Sequence, residues 1–408
     1  MKILALPYGN SVAHTSRLLE IAKVLENRGH ELIFAGQGKC LDIVKLENFP
    51  VLKLLDVSLE QVVTALRTGK FSLLYGNASE IDAYVQAELA LFQEIQPDLV
   101  LTDDRRTALI STKLLNLPHA AVVNAHVTNY SQLPLLLPML GSRVGYPFPK
   151  PLDRFFYDVQ AKIERQVYNT ALRGIQIVQK KYGLEPVFAY QVAQGKDLTL
   201  IADTPQFTPL KKPPQNFHFV GPITWQSNLP KPEFLEQFKS YKKRAYIVLG
   251  SGGFKEFFKQ LSAFEQSDFA IAIAAGELIN EAPSNLPKNV FIERYINADS
   301  LLPYCDVIIC HGGNGTVYQA LRHGVPVIAI PSHNEQDYNA RRVQQLGLGK
   351  RLSHKQVWRD FTGLLTTMEN VVSNGNYKQR ANTFQQHLNQ WQGAVRAADL
   401  IETQLGLR

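Results

Sequence analysis

The stretch that most restricts what this chain can become is Val307–Pro331, VIICHGGNGTVYQALRHGVPVIAIP. Its first four residues are an apolar run short enough for one buried parallel strand. The turn His311-Gly312-Gly313-Asn314-Gly315-Thr316 follows. Thr316 is placed to cap a helix, with Val317, Ala320 and Leu321 at helical spacing behind it. Gly324 ends that helix, and a second apolar run, Val325–Pro331, starts at once. A strand–glycine loop–helix–strand unit of this kind belongs to open α/β sheets. Their strand ends bind ligands, and a helix start with bare N–H groups favours an anion. Glycines alone prove little, because a tight strand-to-helix turn needs them without any ligand.

The rest of the chain repeats the rhythm. Lys2–Tyr8, Glu31–Ala35, Val51–Leu55, Asp98–Thr102 and His119–Asn124 read as strands. Helices are expected over Thr15–Arg28, Asn77–Gln96 and Thr107–Leu115. Alternation predicts parallel, doubly wound sheets. Val127–Pro151 interrupts it with five prolines before a long helical segment, Leu152–Tyr182, as a specificity loop or lid would. Seven prolines between Thr204 and Pro232 mark an interdomain connection. The pattern restarts with Ala245–Leu249 and its Gly250-Ser251-Gly252-Gly253 turn, then the strands Phe269–Ala275 and Val290–Glu293. The tail Val357–Leu407 is mostly helical. At 408 residues the chain can hold two cores.

Composition excludes more than it identifies. Net charge is +7, but the basic residues are scattered, with short clusters at Lys211-Lys212 and Lys242-Lys243-Arg244. No basic, aromatic-interleaved helix supports nucleic-acid binding. The excess would suit an anionic small molecule or a peripheral contact with an anionic membrane, or is simply a solvated surface. No segment is long enough to read as a membrane span, and MKILALPYGN reads as a strand and not a signal peptide. Cys40, Cys305 and Cys310 form no disulfide or metal spacing, which fits a reducing cytoplasm.

Downstream of the glycine turn come Glu335-Gln336 and Asn339-Ala340. Together, His311, Gly313, Thr316, Gly324-Val325-Pro326, Glu335-Gln336 and Asn339-Ala340 resemble the donor-binding signature of inverting nucleotide-sugar glycosyltransferases with the GT-B fold. The macrolide-type and plant natural-product enzymes look most similar.

The resemblance implies two Rossmann-like domains facing a cleft, with a last helix crossing back to the first. The boundaries would be an acceptor-binding domain at 1–210, a linker at 211–240, a nucleotide-sugar-binding domain at 241–385 and the returning helix at 386–408. It implies transfer of a sugar from a UDP-sugar, or a dTDP-sugar, to a hydroxyl of a small lipophilic acceptor. The nucleotide-sugar is a co-substrate, and no other cofactor is implied. No Asp-x-Asp triplet occurs, so a metal-held diphosphate is not expected.

By the same resemblance His14, ahead of the Arg28-Gly29-His30 turn, is the base. Asp103 is its partner in preference to Asp104, which is placed to cap the following helix. Ser251, Gly252, His311, Gly313, Gly315 and Thr316 would hold the diphosphate. Glu335 and Gln336 would bind the sugar, and Tyr295 and Gln319 the nucleoside. Asn339 would touch phosphate or lock its helix.

Departures are visible. The family often has Gly before the His and Pro three residues after it, where this chain has Ala13 and Arg17. Tyr295 and Gln319 stand for the signature's Trp and Glu. A nucleotide-sugar epimerase on the same fold, or a sugar-nucleotide-binding module without catalysis, are the alternatives.

Overall fold

The computed structural model describes residues 1–133, 135, 150–226, 228–248, 255–359 and 361–406. The chain divides into two compact units, Met1–Trp225 with Trp391–Arg408, and Gln226–Gln390.

In the first unit the described residues form one parallel sheet of seven strands. In chain order these are Lys2–Pro7 (β1), Glu31–Gly36 (β2), Val51–Lys53 (β3), Leu99–Asp103 (β4), His119–Val123 (β5), Leu198–Ile201 (β6) and Phe217–Phe219 (β7). Their order across the sheet is β3-β2-β1-β4-β5-β6-β7. Ile3–Leu6 and the whole of β4 are buried on both faces, which is why these strands read as continuous apolar runs. One face carries Ile3, Ala5 and Leu101 against Leu18, Ile21, Ala22 and Leu25 of the helix Val12–Glu26. Ala397, Ala398 and Ile401 of the last helix, Gly393–Gln404, join the same cluster. The chain's end thus completes the first core, as the resemblance implies. Arg28 and His30 pin it further, donating to Glu402 at 2.8 and 3.0 Å.

The second unit's described residues form a six-stranded parallel sheet. Lys243–Val248 (β8), Phe269–Ala274 (β9), Val290–Glu293 (β10), Val307–Cys310 (β11), Val327–Ala329 (β12) and Gly349–Arg351 (β13) lie in the order β10-β9-β8-β11-β12-β13. Ile247, Ile271, Ile273 and Ile309 pack on Phe257, Phe264, Leu364 and Met368. The expected fold class, two doubly wound parallel-sheet units, is the one observed.

Several boundaries differ from the periodicity. The first helix starts at Val12, three residues early, because Val12 and Ala13 are exposed and add nothing to its apolar stripe. The segment Leu152–Tyr182 is two helices, Lys150–Ala171 and Arg173–Lys181, parted where Leu172 leaves helical geometry. The helix Asn334–Gln345 starts with polar turns that show no apolar stripe. Leu59–Thr68, a helix with a Ser58–Gln61 capping box, went unread. Within the proline-rich connection, Phe217–Phe219 forms the first sheet's edge strand. Most of Val127–Pro151 lies outside the described residues. Among the described residues, no helix is long and apolar enough to cross a membrane.

Ile401 is fully buried in the first core. Ile401→Ala should therefore lower that unit's unfolding free energy by about 2–5 kcal/mol in denaturant melts. A loss under 1 kcal/mol would mean the last helix is not part of the core.

Candidate functional site

In each unit the strand order reverses once, between β1 and β4 in the first and between β8 and β11 in the second. Open α/β sheets bind ligands at the carboxyl ends of such strand pairs. Of the residues singled out from the sequence, His14 and Asp103 fall at the first of these places and His311, Gly313, Gly315 and Thr316 at the second.

In the first unit Pro7 pairs with Asp103, so the two strand ends are level. The Asp103 carbonyl accepts from the Tyr8 N–H at 3.0 Å. His14 is the third residue of the helix after β1, inside its first turn and not ahead of it. Its Nδ1 lies 2.6 Å from Asp103 Oδ1. Asp103 is 1% exposed, whereas a quarter of the His14 side chain reaches solvent. The carboxylate holds the proton on Nδ1 and leaves the lone pair on Nε2.

Arg17, one helical turn further, completes the cluster. Its Nε donates to Asp103 Oδ2 and its Nη2 to Asp103 Oδ1, both at 2.8 Å. Nη1 donates to the side-chain oxygen of Asn124, at the end of β5. Nη2 also approaches His14 Nδ1 to 3.0 Å.

Asp104 does not cap the next helix. That helix, Ala108–Leu114, begins behind Thr107 with no side-chain cap. Asp104 instead takes a left-handed backbone, φ +60°, and accepts from Arg106 Nε at 2.7 Å. Its Oδ2 stands 4.0 Å from His14 Nε2.

Burial favours the neutral ring of His14. Asp103, by charge and hydrogen bond, and then Asp104 outweigh burial and the opposing Arg17, so His14 is more basic than a free imidazole. Burial also works against the Asp104 carboxylate. Arg106 and His14 reverse that, and its acidity is increased.

Beneath the turn lies a cluster that sequence reasoning missed. Arg105 Nε donates to fully buried Glu88 at 2.6 Å, its Nη1 sits 3.1 Å from Asp56, and its Nη2 donates to the Leu55 carbonyl. Thr107 and Ser111 hydroxyls also donate to Glu88. Opposite charges and three donors compensate a carboxylate that could not otherwise be buried. The result is a fixed path for residues 103–107. The dense charge run Asp103–Arg106 was visible, but its distant partners were not.

In the second unit Cys310 pairs with Val248, so the ends of β8 and β11 are level. Ser251 and Gly252 lie outside the described residues. The helix after β11 runs over Asn314–Arg322 and starts behind Gly313, whose carbonyl accepts from Val317 N at 3.0 Å. Thr316 is thus its third residue and not its cap. First-turn N–H groups have no earlier carbonyl within the helix to bind, and the helix dipole makes this end positive.

Gly312 has φ +88°, and a Cβ there would meet the Gln336 carbonyl at 2.8 Å. A Cβ on Gly313 would meet His311 Nε2 at 2.5 Å, while one on Gly315 would meet nothing within 4 Å. The first two glycines let the loop fold against its neighbours; the third leaves space above the helix start. Buried Asn339 donates to the Gly312 carbonyl at 3.0 Å, so it locks the loop.

Burial, helped by nearby His333, pushes the His311 pKa down to about 4. The ring can offer a hydrogen bond at neutral pH but no charge. Glu335 and Gln336 lie in the first turn of the helix Asn334–Gln345, with the Gln336 oxygen accepting from the Ser332 N–H and hydroxyl at 2.9 and 2.8 Å. Tyr295 follows β10 and is 56% exposed; Gln319 is half-buried on the Asn314–Arg322 helix.

Two doubly wound parallel-sheet units, one with a His–Asp pair and one with a glycine loop at a helix start, are the plan of the GT-B fold. Residues 258–391 match the family described as "Erythromycin biosynthesis protein CIII-like, C-terminal domain". A "PGL/p-HBAD biosynthesis glycosyltransferase" of Mycobacterium tuberculosis is 25% identical over 93% of this chain and 87% of its own length. A "PGL/p-HBAD biosynthesis rhamnosyltransferase" of Mycobacterium bovis is 24% identical over 93% and 82%. Among solved structures, the calicheamicin glycosyltransferase CalG4 superposes with a TM-score of 0.72 at 23% identity, covering 100% of this chain and 98% of that one. The glycosyltransferase VinC in complex with dTDP gives 0.69 at 18%, covering both chains completely. The chain has the GT-B fold and is similar to glycosyltransferases of the macrolide type.

His14 binds its proton more tightly in the folded chain than when unfolded. The stabilisation is complete below the unfolded value of about 6.5 and is lost as pH rises through the folded value. His14→Asn should therefore lower stability more at pH 5 than at pH 8 in urea melts. Equal losses at both would show that Asp103 does not hold the imidazolium.

Proposed function

We propose that this chain moves a sugar from a nucleoside-diphosphate sugar to a hydroxyl of a small, lipophilic acceptor, with inversion and without a metal ion. The observation that carries the reading is the 2.6 Å His14–Asp103 bond at the β1/β4 strand ends. With Nδ1–H held by the carboxylate, Nε2 is the basic nitrogen of a side chain that is a quarter exposed. In the proposed step Nε2 takes the acceptor's hydroxyl proton while that oxygen attacks the anomeric carbon. The bond from that carbon to the diphosphate oxygen breaks, and its electron pair leaves with the nucleotide. A single displacement inverts the centre. Asp103 does not take the proton; it stabilises the imidazolium.

Diphosphate charge, on this reading, develops against the helix start at Gly313–Thr316, with the space above Gly315 admitting the phosphate. Ser251, Gly252 and neutral His311 add hydrogen bonds. A helix start that takes up the charge gives a physical reason why a metal would not be needed. Glu335 and Gln336 are assigned to the sugar hydroxyls, Tyr295 and Gln319 to the nucleoside. The dTDP-bound relative brings dTDP-sugars into the donor set beside UDP-sugars.

Incubation with panels of UDP- and dTDP-sugars, with and without hydroxyl acceptors, followed by mass spectrometry and anomeric NMR, tests the reading. A glycosylated acceptor of inverted configuration supports it, whereas a changed sugar without any acceptor identifies an epimerase. His14→Ala should lower turnover about a hundredfold or more while nucleotide still binds in calorimetry. Unchanged turnover would remove His14 from the base role.

A further inference from the structure

We propose that Arg17 is a positioning residue for the His14–Asp103 pair, holding the carboxylate in line with the imidazole and limiting how readily the ring takes a proton. The proposal rests on the reading of His14 as the base. It starts from geometry: Arg17 is 5% exposed and grips both Asp103 oxygens at 2.8 Å, while Asn124 at the end of β5 anchors its other nitrogen. A two-point grip by a planar guanidinium fixes the rotation of the carboxylate, which a single histidine bond does not.

The third contact is the informative one. Arg17 Nη2 lies 3.0 Å from His14 Nδ1, the nitrogen that already faces Asp103 at 2.6 Å. Nδ1 cannot both donate to Asp103 and accept from Arg17. The bond to the carboxylate is charge-assisted and shorter, and Nη2 has Asp103 Oδ1 as its own acceptor. Nδ1 therefore keeps its proton, and the arginine, paired with Asp103, stands beside it as a neighbouring cation. A permanent cation at this distance opposes a second positive charge on the ring.

The charged and titratable groups facing the imidazole are Asp103 at the end of β4, Asp104 beyond it, Arg17 on the same helix and the Tyr8 ring after β1, 6.3 Å between centroids. Arg106 binds Asp104 from behind. Of these only Arg17 pushes the proton off at hydrogen-bond distance, against two carboxylates that pull it on. A base that must be neutral to act gains from that opposition.

The test uses the full chain with Arg17→Gln and Arg17→Lys. NMR of the His14 ring hydrogens reads its titration without reference to turnover. In Arg17→Gln the titration should move to higher pH than in the parent. The acid limb of kcat/KM should follow, because more of the ring is protonated near neutrality. Arg17→Lys keeps the charge and should leave the titration near the parent's, yet kcat should fall roughly ten- to hundredfold because the two-point grip is gone.

A folded Arg17→Gln chain with an unmoved His14 titration overturns the proposal, as does full kcat in Arg17→Lys. If Arg17→Gln does not fold, Asn124→Ala replaces it. Releasing Nη1 lets the guanidinium drift from Nδ1 and should move the titration the same way; an unmoved titration there also overturns the proposal. Normal turnover in His14→Ala would sink the base assignment and leave the titration result standing, so the two failures are separable.

Discussion

A carboxylate with 1% of its surface in water cannot stay ionised without partners, and Asp103 has two. Arg17 supplies a permanent charge and His14 a conditional one. Everything else in the first unit's site follows from bringing these three groups together. β1 must pair with β4 so that Pro7 and Asp103 are level. The helix after β1 must begin at Val12, so that His14 and Arg17, three apart, present one face to the strand end. The helix Gly393–Gln404 packs behind the same helix through Ile401 and its neighbours, so the chain's last residues help hold the helix that carries His14 and Arg17.

The two units use the same sheet plan for opposite electrostatic tasks. At the first strand-pair end, side-chain charges are dense and compensated: Asp103 with Arg17, Asp104 with Arg106, and Glu88 and Asp56 with Arg105. Such a network fixes geometry and sets proton affinity. At the second, the loop His311–Thr316 carries no charged residue at all, and burial keeps His311 neutral. What remains is backbone: a helix start and glycines that keep side chains out of the way. On the proposed reading, a place prepared this way would offer many weak donors to a large anion, and a place prepared the first way one base to a single proton.

How much of this was legible in the sequence depended on range. The strands were, because burial on both faces leaves runs such as VIIC and LVL that no other element explains. The glycine loop was, because Gly312 needs a positive φ and Gly313 a bare α-carbon, and these demands are local. Helix starts were not. Val12, Ala13 and the polar turn Asn334–Asp337 lie off any apolar stripe, so periodicity placed His14 outside its helix and Gln336 ahead of one. Long-range polar partners were least legible. Arg17 appeared only as a departure from the resembling family's proline, and its partner stands 86 residues away. Asn124 and Glu88 gave no local sign, because a buried polar residue looks like a surface one until its neighbours are known.

The position of Arg17 also bears on why a histidine at a helix start can serve as a base. The positive end of a helix disfavours an imidazolium in its first turn, and that turn of Val12–Glu26 holds no acidic residue to offset it. A lone carboxylate at 2.6 Å pulls hard the other way, and Asp104 adds to it. Left to these carboxylates, the ring would hold its proton to higher pH than it does. The helix start and Arg17 work against them, the arginine at 3.0 Å from Nδ1. The residue that replaces proline thus changes more than the shape of the turn. It adds a counterweight, and the basicity of His14 becomes a balance among named groups, each of which can be altered separately.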